Sequence, residues 1–224
     1  MEFYECLQSR KSFRSFIPRK VEKSLLENIL GAANRSPSYM NTQPWEVFVV
    51  TGEKKDALAT RLFDEASSGA VPRPDLAFPK EWPELIDRRS KEHRMRRFEA
   101  LGIDPKDEEK MRQSFLRNFQ FYGASCVLFI GMDKSLTPWS IFDLGLFTSS
   151  VLMAAWAEGL ACCAQALPMA YPDVIRGELG ISAHICLILA ICVGYPDLKA
   201  PINQYNTTRK GLTEFVKWYG FSEK

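Results

Sequence analysis

Nine consecutive apolar residues, Ile185 to Val193, constrain this chain more than any other stretch. The run is about half the roughly 20 residues a membrane-spanning helix needs. It also lacks the alternation of a strand with one wet face, so it reads as a strand buried on both faces. Two similar runs, Val47–Val50 within Trp45–Thr51 and Cys126–Met132, repeat the signal, and Cys162–Leu167 reads as a shorter strand. A sheet covered on both faces requires helices on both sides, and the chain supplies candidates. Apolar residues at helical spacing predict helices over 21–34, 53–66, 107–121, 138–159 and 171–179, with a short one over 2–9. A last amphipathic helix is expected in the tail, carrying Leu212, Phe215, Val216 and Tyr219. The outcome is a layered sandwich of helices around one sheet.

The 224 residues are 46% hydrophobic and 25% charged, with a net charge of +2, ordinary values for a globular chain that offer no global argument for nucleic acid or membrane. The stretch Leu144–Ala157 is apolar but carries Thr148, Ser149 and Ser150, and reads as part of a core helix with small residues for close packing. The N-terminus begins Met-Glu-Phe-Tyr-Glu, without a charged n-region or apolar h-region, so a cytoplasmic location is expected. Six cysteines, mostly in apolar surroundings and with no C-x-x-C pair, read as small packed hydrophobes, the vicinal Cys162-Cys163 included. The two histidines, His93 and His184, have no cysteine or histidine at ligand spacing, so neither a metal site nor a serine–histidine nucleophile has its parts.

Two local patterns carry chemistry. If Arg10-Lys11-Ser12-Phe13-Arg14 is extended, Arg10, Ser12 and Arg14 share a face, and two guanidiniums with a hydroxyl suit a terminal phosphate. There is no G-x-G-x-x-G and no Walker loop, so a phosphate site falls to arginines at the two ends of the chain, with Arg209 the partner in the tail. The loop Ser36-Pro37-Ser38-Tyr39-Met40-Asn41-Thr42-Gln43-Pro44-Trp45 is fixed by two prolines. Beyond the loop, Ser67 to Leu101 is a proline-punctuated excursion whose Arg88–Arg97 segment is densely basic, read either as a solvated helix or as a nucleic-acid patch.

Together with Gly159-Leu160, Gln165-Ala166-Leu167-Pro168, Gly194-Tyr195-Pro196 and Arg209-Lys210, these stretches resemble the FMN-dependent nitroreductase superfamily, over nearly the whole chain. The excursion and Phe121-Tyr122-Gly123-Ala124 are similar to the nitroaromatic and nitrobenzoate branch. The resemblance implies an α+β fold, a three-layer α/β/α sandwich around a mixed, mainly antiparallel sheet, in one domain over 1–224. Residues 67–120 would form a helical excursion beside the acceptor site and 195–224 a tail packing on the partner subunit. It implies a homodimer with shared FMN sites, NADH or NADPH as donor, and a small aromatic acceptor, with no nucleic acid or membrane partner. Arg10, Ser12, Arg14 and Arg209 would grip the phosphate, with Lys11 and Phe13 in the same segment. Pro37, Ser38, Tyr39 and Asn41 would reach the flavin of the other chain, and Gln165, Ala166, Leu167 and Pro168 would pass along the flavin edge. No side chain is assigned as a catalytic acid or base, because flavin N5 carries the chemistry. Quinone, enone, free-flavin or halogenated acceptors, and a flavin-binding protein without turnover, remain alternatives. Thr207 stands where the family often has a second basic tail residue, and Lys210 is the available substitute.

Overall fold

A computed structural model describes residues 1–221. The apolar runs form strands β1 (Glu46–Thr51), β2 (Cys126–Asp133), β3 (Ala161–Gln165) and β4 (Ile185–Gly194). They pair in the order β1-β2-β4-β3, each pair antiparallel. A parallel component enters only as the isolated bridge between Ser12 and Cys162 at the β3 edge. The two longest apolar runs therefore occupy the two central positions, where both faces are covered.

The helices are α1 (Phe3–Ser9), α2 (Lys23–Ala33), α3 (Gly52–Ser67), α4 (Glu84–Ala100), α5 (Glu108–Leu116), α6 (Pro138–Ala157), α7 (Pro172–Leu179) and the single turn α8 (Pro201–Gln204). Leu58 and Leu62 of α3, Leu116 of α5 and Ile175 of α7 pack on one sheet face against Val50, Val127, Phe129 and Cys192. Leu26 and Ile29 of α2 and Leu144, Phe147 and Val151 of α6 cover the other, against Leu128, Ile130, Ile191 and Val193. Each such side chain, fully buried, stabilises by about 1.5–3 kcal/mol. Cys162 and Cys163 point into opposite cores, so the vicinal pair packs as two separate hydrophobes, and burial pushes both thiols up.

Ile130 pairs with Leu189 but Gly131 with Leu187, which leaves Ile188 as the extra residue of a bulge. At this point β4 crowds β2: a Cβ on residue 131 would lie 2.7 Å from Ile185 Cγ2 and 2.9 Å from the Cys186 carbonyl oxygen. Only glycine fits without moving the backbone.

α6 is long and apolar enough to cross a membrane by length and composition, with a mean hydropathy of 1.4. In this fold one side of it is core, while Trp139 and Phe142 are exposed. α4 is solvated along nearly its whole length, with Phe98 its only buried residue, as the solvated-helix reading of the excursion requires.

Three expectations need correction. The tail forms no amphipathic helix among the described residues: a single 3₁₀ turn, Leu212–Glu214, stands alone, and Leu212, Phe215 and Tyr219 are exposed. The last three residues of the predicted tail lie outside the described residues. β3 ends at Gln165 and the chain turns through a 3₁₀ segment, Leu167–Ala170, where Pro168 fixes φ and lacks a donor. The helix predicted over 107–121 stops at Leu116, and the chain reverses through Phe121 and Tyr122 at φ of 53° and 54°.

Candidate flavin-type site

The basic segment begins where α1 ends. Ser9 Oγ accepts a hydrogen bond from Trp156 Nε1 (2.8 Å), and the chain then runs extended beside β3, with the Phe13 N–H donating to the Cys162 carbonyl (3.0 Å). Phe13 is 1% exposed and stacks on Trp156 at 5.2 Å. Its side chain pins the segment, and the alternation of extended backbone turns Ser12 and Arg14 the other way. The Arg14 N–H donates to Asn203 Oδ1 (2.8 Å), and Asn203 is itself buried, donating through Nδ2 to the Ser15 and Asp197 carbonyls.

The tail is stitched between this segment and α4. Lys11 Nζ donates to Asn206 Oδ1 (3.1 Å), Arg96 Nη1 to Thr208 Oγ1 (3.3 Å), and His93 Nδ1 lies 2.9 Å from the Tyr205 hydroxyl. Arg209 Nη1 donates to Thr207 Oγ1 (2.6 Å) and to the Thr208 carbonyl (2.9 Å). A cleft of about 530 Å³ opens between α4 and the tail, with His93, Arg96, Tyr205, Thr207 and Arg209 in its wall. Burial, then the charges of Arg14, Arg97 and Arg209, hold His93 below the usual imidazole value. The charges of three guanidiniums on three separate segments thus bear on one histidine.

Among the described residues, none of Arg10, Arg14, Arg97 and Arg209 has a carboxylate within ion-pair distance. Burial depresses Arg97, and its Nε is buried without a hydrogen-bond partner. Cations held close together without counter-charges are arranged for an anion, which guanidinium engages through charge-assisted bonds.

The loop at 36–45 is anchored elsewhere. Ser38 Oγ accepts from the Gln43 N–H (3.0 Å), and the Tyr39 N–H donates to both carboxylate oxygens of buried Asp143 on α6 (3.2 Å each). Met40, Asn41 and Gln43 are held at φ of 49°, 59° and 47°, a left-handed conformation costly for residues with a Cβ. Tyr39 and Met40 project outward, following Pro37. Asp143 and Trp156, which anchor the loop and the basic segment respectively, are thirteen helical residues apart, about 20 Å at 1.5 Å per residue.

Gln165 is buried, and its side chain is used inside the fold. Nε2 donates to the Asn118 carbonyl and Oδ1 (both 3.2 Å), while Oε1 accepts from Cys192 Sγ. What residue 165 can offer a ligand is its backbone. Ala166 is exposed, Pro168 is buried, and Leu167 borders a pocket of about 460 Å³ walled by Met95, Phe98, Met111 and Phe115 and edged by Arg94 and Arg97. The fold therefore puts Arg14 with Arg97 and Asn203 on one side of α4 and Arg209 with His93 and Tyr205 in the cleft one turn away, and leaves Pro37–Asn41 anchored on a different part of α6. The density of arginines on α4 was visible in the sequence, but not which of them turns inward. Asp143, a lone acid in an apolar helix, is the sequence signal for the loop's anchor.

The family model for the nitroreductase family matches residues 7–195. The chain belongs to the nitroreductase family. It is 29% identical over 214 residues to the nitrobenzene nitroreductase of Ectopseudomonas oleovorans, covering 95% of this chain and 94% of that one. It is 30% identical to nitroreductase NfnB of Mycolicibacterium smegmatis, over 95% and 90% of the two chains. Among solved structures, the FMN and NADPH-dependent nitroreductase NfnB from sphigopyxis sp. strain HMH superposes with a TM-score of 0.95 at 30% identity, over 99% of this chain and 100% of that one. The NfnB structure from Mycobacterium smegmatis in complex with NADPH gives 0.92 at 28% identity, over 96% and 97%. The part of this nitroreductase-family chain that the family model matches holds the basic segment, the 36–45 loop and residues 165–168, and stops before the Tyr205–Arg209 strap.

Proposed function

We propose that this chain is an FMN-dependent oxidoreductase that takes electrons from NAD(P)H and passes them to nitroaromatic acceptors. The observation that carries the reading is that Arg14 and Arg97 line one small cavity and Arg209 lines the cleft beside His93, one turn along α4 from Arg97, with none of the three paired to a carboxylate among the described residues. This arrangement has the charge and donor geometry for the phosphate of FMN, and it adjoins an apolar-walled pocket of a size for a small aromatic. Arg10, Ser12, Arg14 and Arg209 hold the phosphate, with Lys11 tied to Asn206 and Phe13 fixing the segment from behind. The backbone of Gln165–Pro168 borders the ring. When bound, FMN supplies hydride acceptance and donation at N5. The chain's own residues bind, orient and exclude water, and Met95, Phe98 and Phe115 favour a flat apolar acceptor over a hydrated one.

The working unit in this reading is a homodimer. The two motif groups are anchored about 20 Å apart along α6, and in this reading Pro37, Ser38, Tyr39 and Asn41 serve a second copy. Exposed Trp139, Phe142, Tyr39 and Met40, with the aromatic tail residues Phe215, Trp218, Tyr219 and Phe221, support this, since a lone chain would leave that apolar surface wet. Nicotinamide and acceptor then use the one open flavin face in turn.

The expected result is a protein that sediments as a dimer, releases FMN on denaturation, and oxidises NADPH when nitrobenzene is added. Double-reciprocal plots at several fixed NADPH concentrations should be parallel. Intersecting lines would show two separate sites. A flavin-saturated monomer would refute the shared site, and bound FMN without turnover on any acceptor would leave a flavin-binding protein.

A further inference from the structure

The α4–tail cleft holds a group that none of the sequence motifs accounts for. His93 projects from the solvated helix α4 into the cleft wall, and its Nδ1 is engaged by the Tyr205 hydroxyl at 2.9 Å, with the rings 5.6 Å apart. Among the described residues Nε2 has no hydrogen-bond partner, and the histidine is part-buried. Tyr205 thus fixes the ring through Nδ1, in a residue that lines the cleft.

The charges around it are mostly positive. Arg209 lines the same cleft from the tail, and the charges of Arg14 on the basic segment and of Arg97, one turn along α4, bear on the imidazole as well. Arg88, Arg89, Arg96 and Lys210 line the same cleft. Two carboxylates share the cleft, Glu92 at 4.0 Å from Arg88 and Glu214, whose Oε1 accepts from the Gly211 N–H at 2.6 Å, and the cations outnumber them. A second positive charge on an imidazole in such a place is unfavourable until an anion arrives to offset it.

We propose that His93 is a proton-linked contact for the phosphate end of the bound flavin, neutral in the empty cleft and protonated, with the proton drawn from the buffer, once the phosphate sits among Arg14, Arg209 and His93. The proposal rests on the FMN reading above and extends it to a residue and a proton. Burial and the three arginines already hold the free imidazole below its ordinary 6.5, and a phosphate carrying between one and two negative charges near neutral pH reverses that balance. The sign follows. Below the free-state value His93 is charged with or without flavin and adds no pH dependence. Between the free and bound values each flavin brings in a proton, so affinity falls as pH rises. Above the bound value the contribution is gone. The decline is about tenfold for each pH unit within that window.

The test is isothermal titration of flavin-stripped dimer with FMN at pH 7.5, in two buffers of different ionisation enthalpy. Wild type is expected to take up a substantial fraction of a proton per FMN. His93→Gln, which keeps size and hydrogen bonding without titrating, is expected to take up markedly less and to lose the decline in FMN affinity between pH 6 and 8 relative to wild type. Tyr205→Phe, which frees the ring, should fall between them. Equal proton uptake by wild type and His93→Gln, with both binding FMN, would overturn this proposal and leave the flavin reading intact. No FMN binding by wild type would overturn both. Thermal melts of the apo variants separate a fold defect from a lost contact.

Discussion

Asp75→Ala is expected to lose about 3–5 kcal/mol of folding stability, the cost of removing one partner of a buried ion pair. Asp75 and Arg176 are only 10% and 11% exposed at their side chains and are in direct contact. The same carboxylate accepts from the Leu187 N–H (2.8 Å) and lies 3.6 Å from Lys134 Nζ. It therefore ties the chain beyond α3 to α7 and to the first residues of β4, close to the bulge. Without it, Arg176 keeps the Ile185 carbonyl and the exposed Asp173 but loses its buried counter-charge, and its Nε is already without a partner. In a chain of this size the loss corresponds to a melting decrease of about 10 °C or more. Urea denaturation measures it directly. A loss below about 1 kcal/mol would mean that Arg176 is re-paired or solvated after the substitution. The double variant Asp75→Leu/Arg176→Met is expected to recover most of the stability, because it leaves no buried charge behind.

Arg14→Ala is expected to weaken FMN retention by about tenfold to a hundredfold, since each charge-assisted bond to a phosphate contributes roughly 1.5–3 kcal/mol. The fold should tolerate it. What holds the segment is the Arg14 backbone N–H on Asn203 and the buried Phe13, and neither depends on the guanidinium. Arg97→Ala should move affinity in the same direction, and the two effects should not simply add, because the guanidiniums face one anion. Lys91→Ala, whose ammonium pairs with Asp87 at 2.6 Å on the exposed side of α4, should leave FMN binding unchanged. Flavin fluorescence on equilibrium dialysis gives the dissociation constants. Equal affinity in wild type and Arg14→Ala would sink the phosphate assignment.

How much of this was legible in the chain differs from element to element, and the differences have physical causes. Ile185–Val193 and Cys126–Met132 dictated their own burial, because a run with no polar face has nowhere else to go, and the central strands followed from that alone. The Pro37–Pro44 loop was equally local, since proline restricts its own φ and its neighbour's conformation whatever surrounds it. The Arg10–Arg14 segment declared its charge but not its company. Whether Arg14 meets Arg97, His93 and Arg209 depends on where α4 and the tail come to rest, which no spacing along the chain encodes. Gln165 shows the opposite outcome: its motif pointed to a ligand, and the Asn118–Cys192 network around it claimed the side chain. The tail misled because helical periodicity in Leu212–Tyr219 states only that an apolar face exists. A helix that short is stable only when such a face is buried, and here Leu212, Phe215 and Tyr219 are exposed. The sequence by itself determined the sheet, the covering helices and the kinds of charge available. The tertiary structure alone decided which charges are neighbours, because electrostatic partners are set by distance in space and hydrophobic periodicity by distance along the chain.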